Sequence, residues 1–183
     1  IDAGAMKIKI EFHYDTETNV DPFIYVADDG RGIDEDDWEE VMEIGKAENS
    51  NTERLGTYGV GMKLSSLTQA QEITIFSKPP EADEMTLRRI SKQLVEEAGE
   101  LGLVLGPSSA NLVKVAVVED LIQNQGFNTV VALESMHKLN LNISVENSPQ
   151  QIFTKYKENM RCHLGLTYHR ILESRGDTLD IRI

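Results

Sequence analysis

The sequence predicts an α/β (α+β) two-layer sandwich, a mixed, mainly antiparallel sheet with helices on one face, in a single domain over residues 1–183. Met6, Ile8, Ile10 and Phe12 alternate with Lys7, Lys9, Glu11 and His13, and a polar turn from Asp15 to Asp21 returns the chain into the apolar run Phe23–Ala27. That is the pattern of an antiparallel hairpin. Apolar residues recur at helical spacing at Trp38, Val41 and Met42 and again at Ile152, Phe153, Tyr156 and Met160. Strand-like and helix-like stretches interleave along the chain, as a sheet layer packed on a helix layer requires.

On the first strand the polar side, His13 included, is expected to meet solvent. Phe23–Ala27 is continuously apolar, so it is expected to be covered on both faces. Asp34 stands where it can cap the next helix, with Asp37 at the third helical position and Gly45 marking the end. The acidic residues Asp34–Asp37, Glu39 and Glu40 suit the positive end of a helix dipole, and we read them as helix chemistry rather than a metal cluster. Trp38 reads as core.

A helix traced through Met62, Leu64, Ser65 and Leu67 leads into the strand Ile73–Lys78, and Pro79-Pro80 breaks the chain. Leu87, Ile90, Leu94, Val95 and Ala98 fit helical spacing, although the first of them also suit a short strand. Leu112–Val118 and Phe127–Leu133 read as strands. Ser148 is a hydroxyl cap followed by Pro149 and, three residues on, Gln151, a helix start with good chemistry. Thr178–Ile183 alternates like a closing strand.

Composition narrows the classes. With 40% hydrophobic and 27% charged residues the chain is ordinary globular material, and its one cysteine, Cys162, allows no internal disulfide. No run approaches the roughly 18 apolar residues of a membrane span and Ile1–Lys7 lacks a signal-peptide layout, so no membrane partner and a cytoplasmic location are expected. A net charge of −13 does not support nucleic-acid binding by this domain. His163 and His169 do not share a helix face, which argues against a metal site with Cys162.

Two glycine clusters carry the chemistry. Asp28-Asp29-Gly30-Arg31-Gly32 ends the apolar strand, where glycines allow a sharp turn and close approach of a flat ligand. Asp28 could accept a hydrogen bond from an exocyclic amine, which makes it a candidate adenine reader; alone, Asp-Asp-Gly is equally an ordinary turn. Gly56, Gly59 and Gly61 precede the helix through Met62, so that backbone N–H groups and a helix N-terminus face the loop, the geometry of an anion site. Lys63 can place an ammonium beside a phosphate. Met62 separates Gly61 from Lys63 and Leu64 occupies the hydroxyl position, which excludes a Walker A loop. A dinucleotide fingerprint fails too, because these glycines follow a long polar loop rather than a first strand.

In this order, the two clusters resemble the D-x-G-x-G and G-x-x-G-x-G boxes of the Bergerat-fold GHKL ATPase superfamily, which includes DNA gyrase, the ninety-kilodalton heat-shock chaperone, sensor histidine kinases and MutL. Ile1-Asp2-Ala3-Gly4-Ala5 is similar to the tail of that superfamily's first box, E-x-x-x-N-x-x-D-A. The resemblance implies ATP with Mg²⁺ as cofactors and an adenine nucleotide as partner. The contacts it implies are Asp2, Asp28, Gly30, Gly32 and Ile33, the loop Gly56, Thr57, Tyr58, Gly59, Val60 and Gly61, and Met62 and Lys63. A Gly-Thr pair of the family has its counterpart in Asn128-Thr129, so Thr129 carries over and the glycine does not. By the same resemblance the catalytic Glu and the Mg²⁺-binding Asn belong before Ile1, so the domain is expected to be truncated within its first box and to hydrolyse ATP poorly as given.

Leu55–Gln69, Ile73–Lys78 and Cys162–Leu172 look more specifically like the microrchidia-type and bacterial stand-alone histidine-kinase-like ATP-binding proteins. Lys46–Leu55 is polar and lacks apolar periodicity, so it is expected to be a lid ordering over nucleotide, the alternative being an ordinary surface loop. The resemblance implies that ATP binding and lid closure drive conformational change or homodimerisation, with hydrolysis in the complete protein. The alternatives are a non-hydrolysing nucleotide-binding or interaction module and a histidine-kinase catalytic domain.

Overall fold

The computed structural model describes residues 3–15, 20–42, 61–98, 104–105, 112–136, 149–175 and 179–183. Its centre is a seven-stranded sheet. Strands β1 (Lys7–Asp15) and β2 (Val20–Asp28) form the expected antiparallel hairpin, with Ile10 opposite Val26. Antiparallel pairing continues from β2 to β6 (Thr129–Met136), to β3 (Ala70–Ser77), to β4 (Thr86–Ser91) and to the two-residue β5 (Val104–Leu105). On the other side β7 (Asp180–Arg182) closes the sheet parallel to β1. The order is therefore β5-β4-β3-β6-β2-β1-β7, a mixed and mainly antiparallel sheet.

Helices α1 (Trp38–Met42), α2 (Gly61–Gln69), α3 (Lys92–Ala98) and α5 (Pro149–Arg175) pack on one face of the sheet and α4 (Leu112–Gln123) on the other. The helices are thus not confined to one face as expected, because the alternate strand residues are also apolar and need cover. The long α5 lays Ile152, Phe153, Tyr156, Met160 and Leu164 against Ile8, Ile10, Phe12, Ile24 and Val26. Trp38 and Met42 of α1, Leu67 of α2 and Val95 of α3 meet Ile73, Ile75 and Ile90. Neighbouring strand residues point to opposite faces, so Phe23, Tyr25 and Ala27 must find cover elsewhere. They find it under Val118, Leu121 and Ile122 of α4, with Phe76, Val130 and Ala132. Full burial of a side chain such as Phe23 or Phe76, both essentially inaccessible, stabilises the fold by about 1.5–3 kcal/mol each. β2 is thus covered on both faces, as its unbroken apolar run predicts.

Leu112–Val118, expected as a strand, is the first half of α4. Its valines favour strands locally, but Val118, Leu121 and Ile122 recur at helical spacing and their packing on the sheet decides the outcome. This correction entails another. The polar side of β1 is only partly solvated, because Lys9, Glu11 and His13 line an open cleft beside α4 together with Tyr25, Asp120 and Gln125. His13 stacks on Phe23 with ring centroids 4.7 Å apart, and its Nε2 is buried without a hydrogen-bond partner, contrary to a solvated histidine. In the same cleft the Tyr25 hydroxyl donates to Glu11 Oε2 at 2.5 Å and Lys9 pairs with Glu11 at 2.8 Å.

Of the two readings for Leu87–Ala98, Leu87 and Ile90 lie on β4 and Leu94 and Val95 on α3, so the strand-first alternative holds. Asp34 takes the N-cap position with φ −71° and ψ 158°, but its side chain makes no capping bond. Its carbonyl instead accepts Asp37 N–H at 3.0 Å, and a 3-10 turn over Glu35–Asp37 precedes the short α1. Trp38 is core: its Nε1 donates to Thr86 Oγ1 at 3.0 Å, and the Arg88 guanidinium lies 5.1 Å from the ring centroid. Gly45 and the Lys46–Leu55 segment lie outside the described residues. No helix among the described residues is long and apolar enough to cross a membrane.

Candidate functional site

Asp28 is the last residue of β2, where the strand runs into the first glycine turn. Across the sheet it stands opposite Thr129 of β6, which in turn stands opposite Ser77 of β3. Three short polar side chains thus form one row at the end of adjacent strands. By strand alternation that row faces the same side as Ile73 and Ile75, the side on which α1, α2 and α3 pack.

The turn after Asp28 is crowded in ways that require glycine. Gly30 N–H donates to Asp28 Oδ1 at 2.9 Å, and a Cβ on Gly30 would stand 2.7 Å from that oxygen and 2.8 Å from Ala3 Cβ. Gly32 has φ +78°, and a Cβ there would stand 2.8 Å from Pro79 Cα. Both sequence-predicted glycines are therefore fixed by the close approach of neighbouring backbone.

Hydrogen bonds tie this turn down on every side. Asp29 Oδ1 accepts Met6 N–H and Lys7 N–H, each at 2.7 Å, and Arg31 N–H reaches Ala3 O at 3.1 Å. Ile33 N–H donates to Ser77 Oγ at 2.8 Å, and Ser77 Oγ donates to Asn128 O at 3.0 Å. Asn128 Nδ2 donates to Gly30 O at 2.7 Å. Asp29, Ser77 and Asn128 were not legible as contributors, since none of these bonds is local in the sequence. Asn128 alone had a signal, as the residue standing where the resemblance leads one to expect glycine.

Burial raises the Asp28 pKa above the ordinary carboxylate range, the Gly30 N–H opposes that shift and the neighbouring Asp29 charge adds to it. A carboxylate so placed is stabilised by any donor that reaches it, because the ionised form has lost part of its hydration. Asp28 is half-buried and Thr129 is buried at the same ledge. The pair could offer an acceptor and a hydroxyl to a flat, amine-bearing ring beside the turn at Gly30 and Gly32, where no Cβ fits.

Of the other sequence-predicted residues, Ile33 is half-buried and packs with Trp38, Ile73 and Ile75. Gly61 opens α2, and Met62 and Lys63 follow it in the helix. Asp2, Gly56, Thr57, Tyr58, Gly59 and Val60 lie outside the described residues. Among the described residues there is no group of three or more His, Cys, Asp and Glu side chains that could hold a metal ion.

The sequence profile of the histidine kinase-, DNA gyrase B- and HSP90-like ATPases matches residues 1–129, from the start of the chain to the Thr129 that faces Asp28. The chain belongs to this family. A search of curated proteins finds no match. Membership makes this an ATP-binding domain of the GHKL type, and domains of the type bind ATP, generally with Mg²⁺. The matched span takes in every side chain of the ledge, whereas α5 and β7 lie beyond it.

Proposed function

We propose that residues 1–183 form one nucleotide-binding domain in which Asp28 reads the adenine 6-amino group and Thr129 supports the same ring. Gly30, Gly32 and Ile33 would form the floor and edge of the purine site. Gly56, Thr57, Tyr58, Gly59, Val60, Gly61, Met62 and Lys63 would cradle the phosphates, with Asp2 at the rim. The observation that carries this reading is the Asp28–Thr129–Ser77 row, which sits beside a turn that admits only glycine and on the face where α2 packs.

This chain's residues then bind, orient and exclude water, while a divalent ion, when bound, would neutralise phosphate charge. The Lys46–Leu55 segment would close over the bound nucleotide, and closure would drive conformational change or pairing of two copies. We place the domain nearest the microrchidia-type and bacterial stand-alone histidine-kinase-like proteins, on Leu55–Gln69, Ile73–Lys78 and Cys162–Leu172. Calorimetric titration with ATP and ADP, with and without Mg²⁺, tests the reading. Saturable binding of both nucleotides is expected, and absence of binding by either would overturn it.

A further inference from the structure

Asn128 is bonded to the candidate site through both its backbone and its side chain. Its backbone N–H donates to Asp28 O at 2.8 Å, and its carbonyl accepts Lys78 N–H at 2.9 Å and the Ser77 hydroxyl at 3.0 Å. Its side-chain amide donates to Gly30 O at 2.7 Å, with a longer approach of 3.4 Å to Asp29 O. The same Ser77 oxygen accepts Ile33 N–H at 2.8 Å, so one short chain of bonds links the two ends of the turn. Ser77 is inaccessible and Gly30 is buried, which keeps water from replacing these partners.

We propose that Asn128 is a positioning residue for the purine end of this site, an inference that rests on the nucleotide-binding reading above. Gly30 is the lever. Its N–H, in the Asp29–Gly30 peptide, holds Asp28 Oδ1. The Asn128 amide reaches that peptide's oxygen, Asp29 O, at 3.4 Å as well as Gly30 O in the next peptide at 2.7 Å, so it braces the two peptide planes that meet at Gly30 and aim the carboxylate. Glycine at position 128 would keep all three backbone bonds and delete only those of the side chain. The Gly30 carbonyl would then lie buried without that donor, Asp29 O would lose its longer contact, and the two peptides on either side of Gly30 could rotate. Asp28 would remain present and ionisable but would spend less time in the orientation that meets an amine.

The effect is confined to the base. Adenosine and ATP should both lose affinity in Asn128→Gly by about fivefold to tenfold, the range for one net hydrogen bond with its partner left unsatisfied. Inorganic tripolyphosphate, which has no base to meet Asp28, should bind as before. A purely structural role would not produce that split, since lost stability leaves the affinity of the folded fraction unchanged or weakens every ligand together. Asn128→Asp provides a second variant: it keeps the shape, cannot donate when ionised and sets a negative charge against the Gly30 carbonyl. It should weaken adenosine more than Asn128→Gly does.

The experiment is calorimetry of the three ligands on wild type and both variants, with circular dichroism fixing the folded fraction. Equal adenosine affinity in wild type and a folded Asn128→Gly overturns the positioning role while leaving the nucleotide reading intact. A parallel loss for adenosine and tripolyphosphate also overturns it. Failure of wild type to bind adenosine or ATP at all sinks the underlying reading and this inference with it.

Discussion

Asp28 and Thr129 stand directly opposite one another on the antiparallel strands β2 and β6, although they lie far apart in the chain. The pairing turns two motifs into one surface. It depends on β6 entering the sheet between β2 and β3, which also brings Ser77 alongside Thr129. The strand order therefore does for this site what no local motif could do.

The raised pKa of Asp28, caused first by its burial, has two consequences of opposite use. The folded chain holds this proton more tightly than the unfolded chain. Stability from this group is therefore greatest below the unfolded carboxylate value and falls as pH rises through the shifted value. The proposed acceptor role toward adenine uses the ionised form, so affinity should fall as pH drops and Asp28 takes up its proton. The pH-dependent difference in urea stability between wild type and Asp28→Asn isolates the first effect, and calorimetric affinity against pH isolates the second. An affinity that does not fall as pH is lowered from neutrality would contradict the assignment.

Gly32→Ala and Gly126→Ala provide a matched comparison. Both glycines have positive φ, +78° and +75°, but a Cβ on Gly126 meets nothing within 4 Å whereas one on Gly32 meets the Pro79 backbone at 2.8 Å. Left-handed backbone alone costs about 1–2 kcal/mol for a non-glycine residue, and overpacking adds about 1–3 kcal/mol. Urea denaturation should rank Gly32→Ala as clearly the more destabilised. Equal losses would mean that the turn does not press against Pro79.

Beneath α4, Lys114 Nζ lies 3.2 Å from Glu134 Oε1, with Thr74 Oγ1 3.5 Å from the other carboxylate oxygen. Glu134 is only 3% exposed, so removing its partner strands a buried charge. Lys114→Ala should destabilise by about 3–5 kcal/mol, and the double variant Lys114→Met, Glu134→Leu by much less. Thermal or chemical denaturation of the two variants checks the contrast, and similar losses would contradict it.

Period-two alternation made the hairpin legible, and the unbroken apolar run Phe23–Ala27 showed that β2 is covered twice. Helical spacing with Pro149 at the first position likewise marked α5. Leu112–Val118 misled because valine-rich segments favour strands locally, while burial of Val118, Leu121 and Ile122 is a tertiary fact. The same misreading affects His13, since the polar side of β1 borders a cleft that α4 flanks. At the candidate site, the turn through Asp28, Gly30 and Gly32 was legible because turn chemistry is local. Ser77, Asn128 and the Asp29 clasp on Met6 and Lys7 were not, because each joins segments that only the sheet brings together.

The central claim is that the Asp28 carboxylate reads an adenine amine. It is tested most directly by measuring ATP and GTP affinities for wild type and Asp28→Asn side by side. A charged hydrogen bond of about 1.5–3 kcal/mol predicts that the variant loses roughly tenfold to a hundredfold for ATP, and that wild type prefers ATP over GTP, whose ring presents a carbonyl at that position. Equal ATP affinity in the two proteins, or equal binding of ATP and GTP by wild type, would contradict the account.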